Sequence, residues 1–144
     1  MSREKNKELI RRFTEEVWNK GNLDVVYDTF AEDYVRHDLR PGNPPPGPAG
    51  QKRIAADFRA AFPDIHSTVE MMLAEGEFVV TRWTAEGTNT GQWGSVAPTG
   101  KRARLSGVNI FRIVNGKVAE LWNYRDDLGL MQQLGVPIFA GSKE

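Results

Sequence analysis

At Pro63-Asp64 the apolar residues change their spacing, and this change constrains the fold more than any other feature of the chain. Upstream they recur every three or four positions. Leu9, Ile10, Phe13, Val17 and Trp18 mark an amphipathic helix that ends at Gly21, a suitable C-cap. Asn22 can cap a short second helix carrying Leu23, Val26, Tyr27 and Phe30. A third helix covers 51–62, with Ile54, Phe58 and Phe62 on one face. Downstream the period is two: Ile65, Ser67, Val69, Met71 and Leu73 point one way, His66, Thr68, Glu70 and Met72 the other. A strand follows the turn at 75–77, another covers 102–114, and a last long one runs from 117 to about 124. Asn115-Gly116 between the last two is a strong short hairpin signal, of type I′. Asp126 or Asp127 then opens a final helix, closed by Gly135 and Pro137.

Helices first and an antiparallel meander afterwards make an α+β fold. Four long, twisted strands curl rather than lie flat. Helices packed on the concave side leave a conical hollow, a natural place for a small molecule. A length of 144 residues suits one domain, 1–144. Between the second and third helices lie DYVRHD, a short extended piece, and the loop PGNPPPGPAG (41–50), which can be neither helix nor central strand.

Charge and composition narrow the function. Lys plus Arg number 19 and Asp plus Glu also 19, a balance that argues against a nucleic acid or an anionic membrane as partner. The basic run GKRAR (100–104) is too short to change that. No stretch approaches the ~18 apolar residues of a membrane span, and the charged start MSREKNKELIRRF lacks the features of a signal peptide. A cytoplasmic protein is the default expectation. Cysteine is absent, the two histidines lack metal-ligand spacing, and no glycine-rich phosphate cradle precedes a helix. No metal is expected, nor a phosphate-bearing cofactor held in such a cradle.

The candidate site residues cluster near the fourth long strand and in DYVRHD. Asp126 stands where a base could meet an apolar wall, although aspartate at a helix start also serves as a cap. One of Asp126 and Asp127 can cap while the other faces the cavity. His37 shares a face with Val35 in an extended segment, expected to be the inner face, and could carry a proton near neutral pH. His66 falls on the solvent side. Counting outward from the hairpin turn sets Asn109 opposite Val118 or Ala119 and Asn123 near Leu105. Parity then points Asn109 and Asn123 inward together with Leu105, Phe111, Ala119 and Leu121. Two amides among apolar residues can orient a carbonyl oxygen. Trp83, Trp122, Phe111, Leu121, Tyr34 and Phe62 are candidate lining for a flat, apolar or aromatic molecule, with Phe139 a further one; taken singly, each aromatic reads more simply as ordinary core. Trp93 lies in a loop, as a lid or a contact between subunits. Arg36 and Arg82 could bind an oxyanion, but read more simply as solvated strand residues.

The segment FRIVNGKVAELWNYRDDLGLMQQLGVP resembles the C-terminal hairpin and helix of the SnoaL-like polyketide cyclases, members of the NTF2-like group of α+β cones. EDYVRHD, AAFPDIH, RWTAEGTNTGQW and APTGKRARLSG extend the resemblance over nearly the whole chain. It implies a cofactor-free enzyme with a deep apolar pocket, closing a ring by aldol condensation, and a homodimer. It also implies that the cyclases' acid/base aspartate falls on Asn123, and two of their histidines on Asn109 and Leu121. An asparagine can donate a hydrogen bond to an enolate oxygen but cannot take a proton. Two classes of function follow. One is an enzyme performing acid/base chemistry (cyclisation, isomerisation or hydration) on a small apolar carbonyl compound, with His37 or Asp126 moving the proton. The other is a non-catalytic binder of such a compound, or a relative of the cyclases that hydroxylates.

Overall fold

The structure, a computed structural model, describes residues 2–38 and 44–137; part of the 41–50 loop, and Phe139, lie outside them. Helix α1 (Arg3–Arg12) is capped by Ser2, whose hydroxyl accepts from the Lys5 N–H at 3.1 Å. The helix then widens into a π-helical stretch, Phe13–Asn19, closed by the Lys20 N–H on the Glu15 carbonyl. Periodicity does not distinguish this from α-helix, because a single wider turn shifts the buried face by only part of a residue. Gly21 takes the left-handed conformation expected of it (φ 77°). Asn22 does not cap with its side chain; its amide donates back to Glu16. A 3-10 turn, Leu23–Val25, leads into the four-residue α2 (Val26–Thr29).

DYVRHD belongs to a strand in its own right, β1 (Phe30–His37). Helix α3 begins at Pro48, earlier than the expected 51, with proline in the first turn where its missing N–H costs nothing. Strands β2 (His66–Glu75), β3 (Phe78–Thr88), β4 (Arg102–Val114) and β5 (Lys117–Arg125) form the meander, and α4 (Asp127–Leu134) ends it. The sheet order is β1-β5-β4-β3-β2, with β1 joined to β5 in parallel and the other pairs antiparallel. The hairpin turn has the positive φ of type I′ at Asn115 (52°) and Gly116 (77°).

Within the antiparallel meander, two bulges decide which side chains face inward. Between Val69 and Met71 the β2–β3 register shifts by one residue. Ser67 and Val69 therefore face the interior, whereas Met71 (50% exposed) and Leu73 (61%) face outward and Met72 packs on the core. The expected unbroken alternation fails at that point. The second bulge lies between Arg112 and Ile113, opposite Ala119. Val114 pairs with Lys117 and Ile113 with Val118, but Arg112 pairs with Glu120. Asn109 is thus directly opposite Asn123, not Val118 or Ala119 as counted from the turn. A bulge-free two-residue hairpin would pair Asn109 with Trp122 and turn Asn123 to the other face. The extra residue is what brings the two amides together.

The interior has two apolar clusters. One joins Ile10, Phe13, Val17, Phe30, Phe111 and Leu121; the other joins Phe58, Phe62, Ile65, Ala85, Leu105 and Leu130. Between them, on the inner face of β3, β4, β5 and β1, runs a band of polar residues. No helix among the described residues is long and apolar enough to cross a membrane.

Candidate functional site

A cavity of about 50 Å³ lies between the two clusters, under the π stretch and α3. Its apolar walls include Phe13, Phe111 and Leu121 from one cluster and Phe58, Ile65, Ala85 and Leu105 from the other. An apolar void of about 150 Å³ takes benzene, so a ligand with an aromatic ring must push lining side chains aside.

The polar band crosses the strands in a continuous chain. Arg36 donates from one terminal nitrogen to Gln51 Oε1 (3.1 Å) and from the other to Asn123 Oδ1 (3.0 Å). Asn123 Nδ2 donates to Asn109 Oδ1. Tyr34 donates its hydroxyl to the same Gln51 oxygen at 3.1 Å. Burial pushes the Tyr34 phenol up to about 12, so it stays protonated and remains a donor. The direction of the chain is set by chemistry. A guanidinium has no acceptor, so Asn123 must offer Arg36 its oxygen, which turns its NH2 to Asn109. Asn109 must in turn offer its oxygen, and its own NH2 is left at the end of the relay. By the same reasoning Gln51 gives its oxygen to two donors and keeps its NH2. Asn109, Asn123, Gln51 and Arg36 all line the cavity.

Arg36 is held on its other side by Asp38, at 3.1 Å from Nε, and its side chain is only 12% exposed. The expectation of a solvated Arg36 is therefore wrong. Its inward direction follows from strand parity with Tyr34, which is buried. Arg82 is exposed, as expected. Arg125 is a second lining cation. Asp127 grips its Nε and one terminal nitrogen at 3.0 and 3.2 Å, and its guanidinium carbon lies 4.7 Å over the Phe58 ring. Gln51 is not legible as a site residue from its neighbours alone; its signal is a polar residue on an otherwise apolar helix face.

His37 is corrected. It lies on the outer face with Val35, because Tyr34 and Arg36 take the inner positions of β1. Its ring stacks on Trp122 (centroids 4.7 Å apart, planes at 15°), and Nε2 lies 2.8 Å from Glu120 Oε2. Trp122 is corrected with it: it sits outside, stacked on His37 and tilted against Phe78, not in the cavity wall. Glu120 also receives Arg112 Nε at 2.6 Å. The His37 contact first and Arg112 second hold its carboxyl below the ordinary range. Asp126 is corrected as well. It is exposed, and it caps α4 by accepting the Gly129 N–H at 2.9 Å, while its own N–H extends the sheet onto Ser106. Asp127 holds Arg125 and so shapes the wall indirectly.

Trp83, Phe111, Leu121, Asn109 and Asn123 all line the cavity. Tyr34 and Phe62 are buried just outside that lining, Tyr34 reaching it through Gln51 and Phe62 in the core cluster with Phe58. Trp93 is packed against Phe58 in the β3–β4 loop. That loop is pinned by buried Asn89, which bonds Ala61, Gly91 and Thr99. No carboxylate and no histidine stands among the described lining residues. Nor does any group of three or more His, Asp or Glu that could hold a metal occur among the described residues.

The geometry has counterparts. The chain is similar to aklanonic acid methyl ester cyclase DauD of Streptomyces sp. (strain C5), 27% identical over 132 residues that cover 90% of this chain and 81% of the relative. The structure superposes on TsrD from Streptomyces laurentii with a TM-score of 0.87 over 95% of this chain and 99% of the other; at 23% identity this speaks for the fold alone. It also superposes on AclR from Streptomyces galilaeus, a proposed hydroxylase, with a TM-score of 0.82, 28% identity, and 94% and 100% of the two chains covered. The fold is the NTF2-like cone. A family model, SnoaL-like polyketide cyclase, matches residues 8–134, so the chain belongs to that family.

Proposed function

We propose that the protein binds a small, largely apolar carbonyl compound and stabilises its enolate, as an aldol-type cyclase or isomerase working without a cofactor. The observation that carries this reading is the relay Arg36 → Asn123 → Asn109, which ends in an amide donor inside an apolar cavity. The fixed positive charge polarises both amides in the same sense, and a low-dielectric wall makes such polarisation effective. A developing oxyanion at Asn109 Nδ2 is the state this arrangement favours. None of the described lining side chains can accept the proton, since a guanidinium stays charged and amides are not bases. The α-proton therefore passes to water. That suits a compound whose α-carbon lies between two carbonyls and is already acidic. The relative DauD bears the name of a methyl ester cyclase, which supports the same class of substrate.

The absence of a carboxylate or histidine among the described lining residues favours a second reading, a binder without turnover. Exchange of the α-hydrogens of ethyl benzoylacetate for deuterium, followed by NMR, separates the two. The enzyme reading expects exchange above the buffer rate, abolished in Arg36→Leu. Binding with exchange at the buffer rate leaves the binder. Asn123→Asp is expected to add a base-dependent limb to the pH–rate profile, because Arg36 is placed to keep a carboxylate there ionised; a profile identical to wild type would count against the relay's role.

The same reading includes a homodimer formed through the outer face of the sheet. Val35, Met71, Leu73, Phe78 and Tyr124, most of the large exposed apolar side chains, stand on that face. Sedimentation of Leu73→Lys against wild type tests it: the dimer reading expects a shift to monomer.

A further inference from the structure

On the inner face of β3 and β4, Thr81 stands opposite Asn109 and Trp83 opposite Gly107. Across β5, Gly107 pairs with Arg125. Gly107 has no side chain to fill its inner position, and the Trp83 indole occupies the space. A Cβ on residue 107 would lie 2.5 Å from Trp83 Cζ2 and 2.9 Å from Cε2, the carbon bonded to the indole nitrogen. The ring therefore packs against the β4 backbone at Gly107, one row along from the Asn109–Asn123 pair.

The indole N–H is a donor only. Trp83 Nε1 is shut off from solvent and has no hydrogen-bond partner among the described residues. Buried donors are normally paired, and an unpaired one calls for an explanation. The ring lines the cavity. A ligand that enlarges this small cavity meets the Trp83 ring, and it can bring the acceptor that the surrounding protein does not supply.

We propose that Trp83 is a specificity-determining residue: its N–H donates to a second acceptor oxygen of the ligand, one strand row from the oxygen held by Asn109. This rests on the reading of the cavity as a carbonyl-binding pocket and extends it to a substrate class. The rows are about 7 Å apart along β4 by strand geometry, and both side chains line the cavity. The pocket thus selects molecules with two oxygen acceptors on a compact apolar frame, such as 1,3-dicarbonyls or quinone-like rings, over those with one. With Gln51 as a further amide donor and no acidic lining group described, acceptor-rich ligands are favoured throughout.

The test uses the full chain, labelled with 15N at its four tryptophans, titrated with ethyl benzoylacetate and with valerophenone, which keeps the ketone and replaces the ester by hydrocarbon. The Trp83 resonance is assigned by its loss in Trp83→Phe. The proposal expects that resonance to move downfield with the keto ester and not with valerophenone. It also expects Trp83→Phe to weaken keto ester binding roughly tenfold, the size of one hydrogen bond, with valerophenone affinity kept. If both probes bind while the Trp83 resonance stays in place and the variant binds the keto ester as wild type does, Trp83 is only packing and the carbonyl pocket stands. If neither probe perturbs wild type at millimolar concentration, the pocket reading falls and this proposal with it. Should Trp83→Phe fold poorly, loss of the other three resonances in Trp18→Phe, Trp93→Phe and Trp122→Phe assigns that of Trp83 by elimination, and the wild-type titration still decides.

Discussion

Arg36 and His37 are consecutive residues on opposite faces of one sheet. Arg36 faces inward and is joined to Asn123 and Gln51; His37 faces outward and is joined to Trp122 and Glu120. The same division continues along β5 and β4. The inner row holds Leu121, Asn123, Asn109 and Phe111; the outer row holds Glu120, Trp122, Ile110 and Arg112. The outer row is the one with His37 and the carboxylate of Glu120. The inner row has amides, the held guanidiniums of Arg36 and Arg125, and hydrocarbon. A cavity with fixed donors and no titrating base described in its wall is suited to stabilising charge rather than moving protons.

Substitutions that treat the two faces alike should reveal how different they are. Phe111 is 1% exposed and Phe78 42%. Phe111→Ala is expected to cost about 3–5 kcal/mol, the range for a buried phenylalanine, and Phe78→Ala far less; urea unfolding measures both. Equal losses would mean that the outer face is buried in solution, and would favour the dimer. The next largest contrast is Arg36→Leu against His37→Leu. The first withdraws the donor from Gln51 and Asn123 and should cost about 1–3 kcal/mol, together with ligand affinity. The second should leave ligand affinity at the wild-type value. Loss of ligand binding in His37→Leu would break the assignment of faces.

Asp126→Ala removes a helix cap and should cost about 1 kcal/mol, with binding per folded molecule unchanged. A loss of binding larger than the loss of stability would return Asp126 to the site. The smallest effect concerns pH. Glu120 has its carboxyl held below the ordinary 4.5 by His37 and Arg112. A depressed folded-state value stabilises above the unfolded value, and that contribution is lost as pH falls through the lowered one. Thermal unfolding of Glu120→Gln should therefore depend less steeply on pH below about 4.5 than wild type does. An unchanged slope would show that the outer-face triad is not formed in solution.

Much of the fold could be read directly. The change of period at Pro63-Asp64, the glycine cap at Gly21 and the Asn115-Gly116 turn are local signals, and each is found where the residues place it. What was illegible came from long-range pairing. Nothing near Phe30 announces that β1 will join the far strand β5 in parallel. Neither bulge has a marker in composition, yet each inverts the faces of every residue beyond it. His37 was misplaced for a related reason: Tyr34 and Val35 are both apolar, and only contact with Phe30 (ring centroids 4.8 Å apart) selects Tyr34 for the inside.

The sequence by itself determined the elements, their order and a sheet backed by helices, because turn chemistry and hydrophobic period act over a few residues. Only the tertiary structure decided which polar side chains see the interior. That choice depends on strand register, and register is settled where distant segments meet. One inserted residue at Ala119 separates an asparagine in solvent from an asparagine at the heart of a hydrogen-bonded relay.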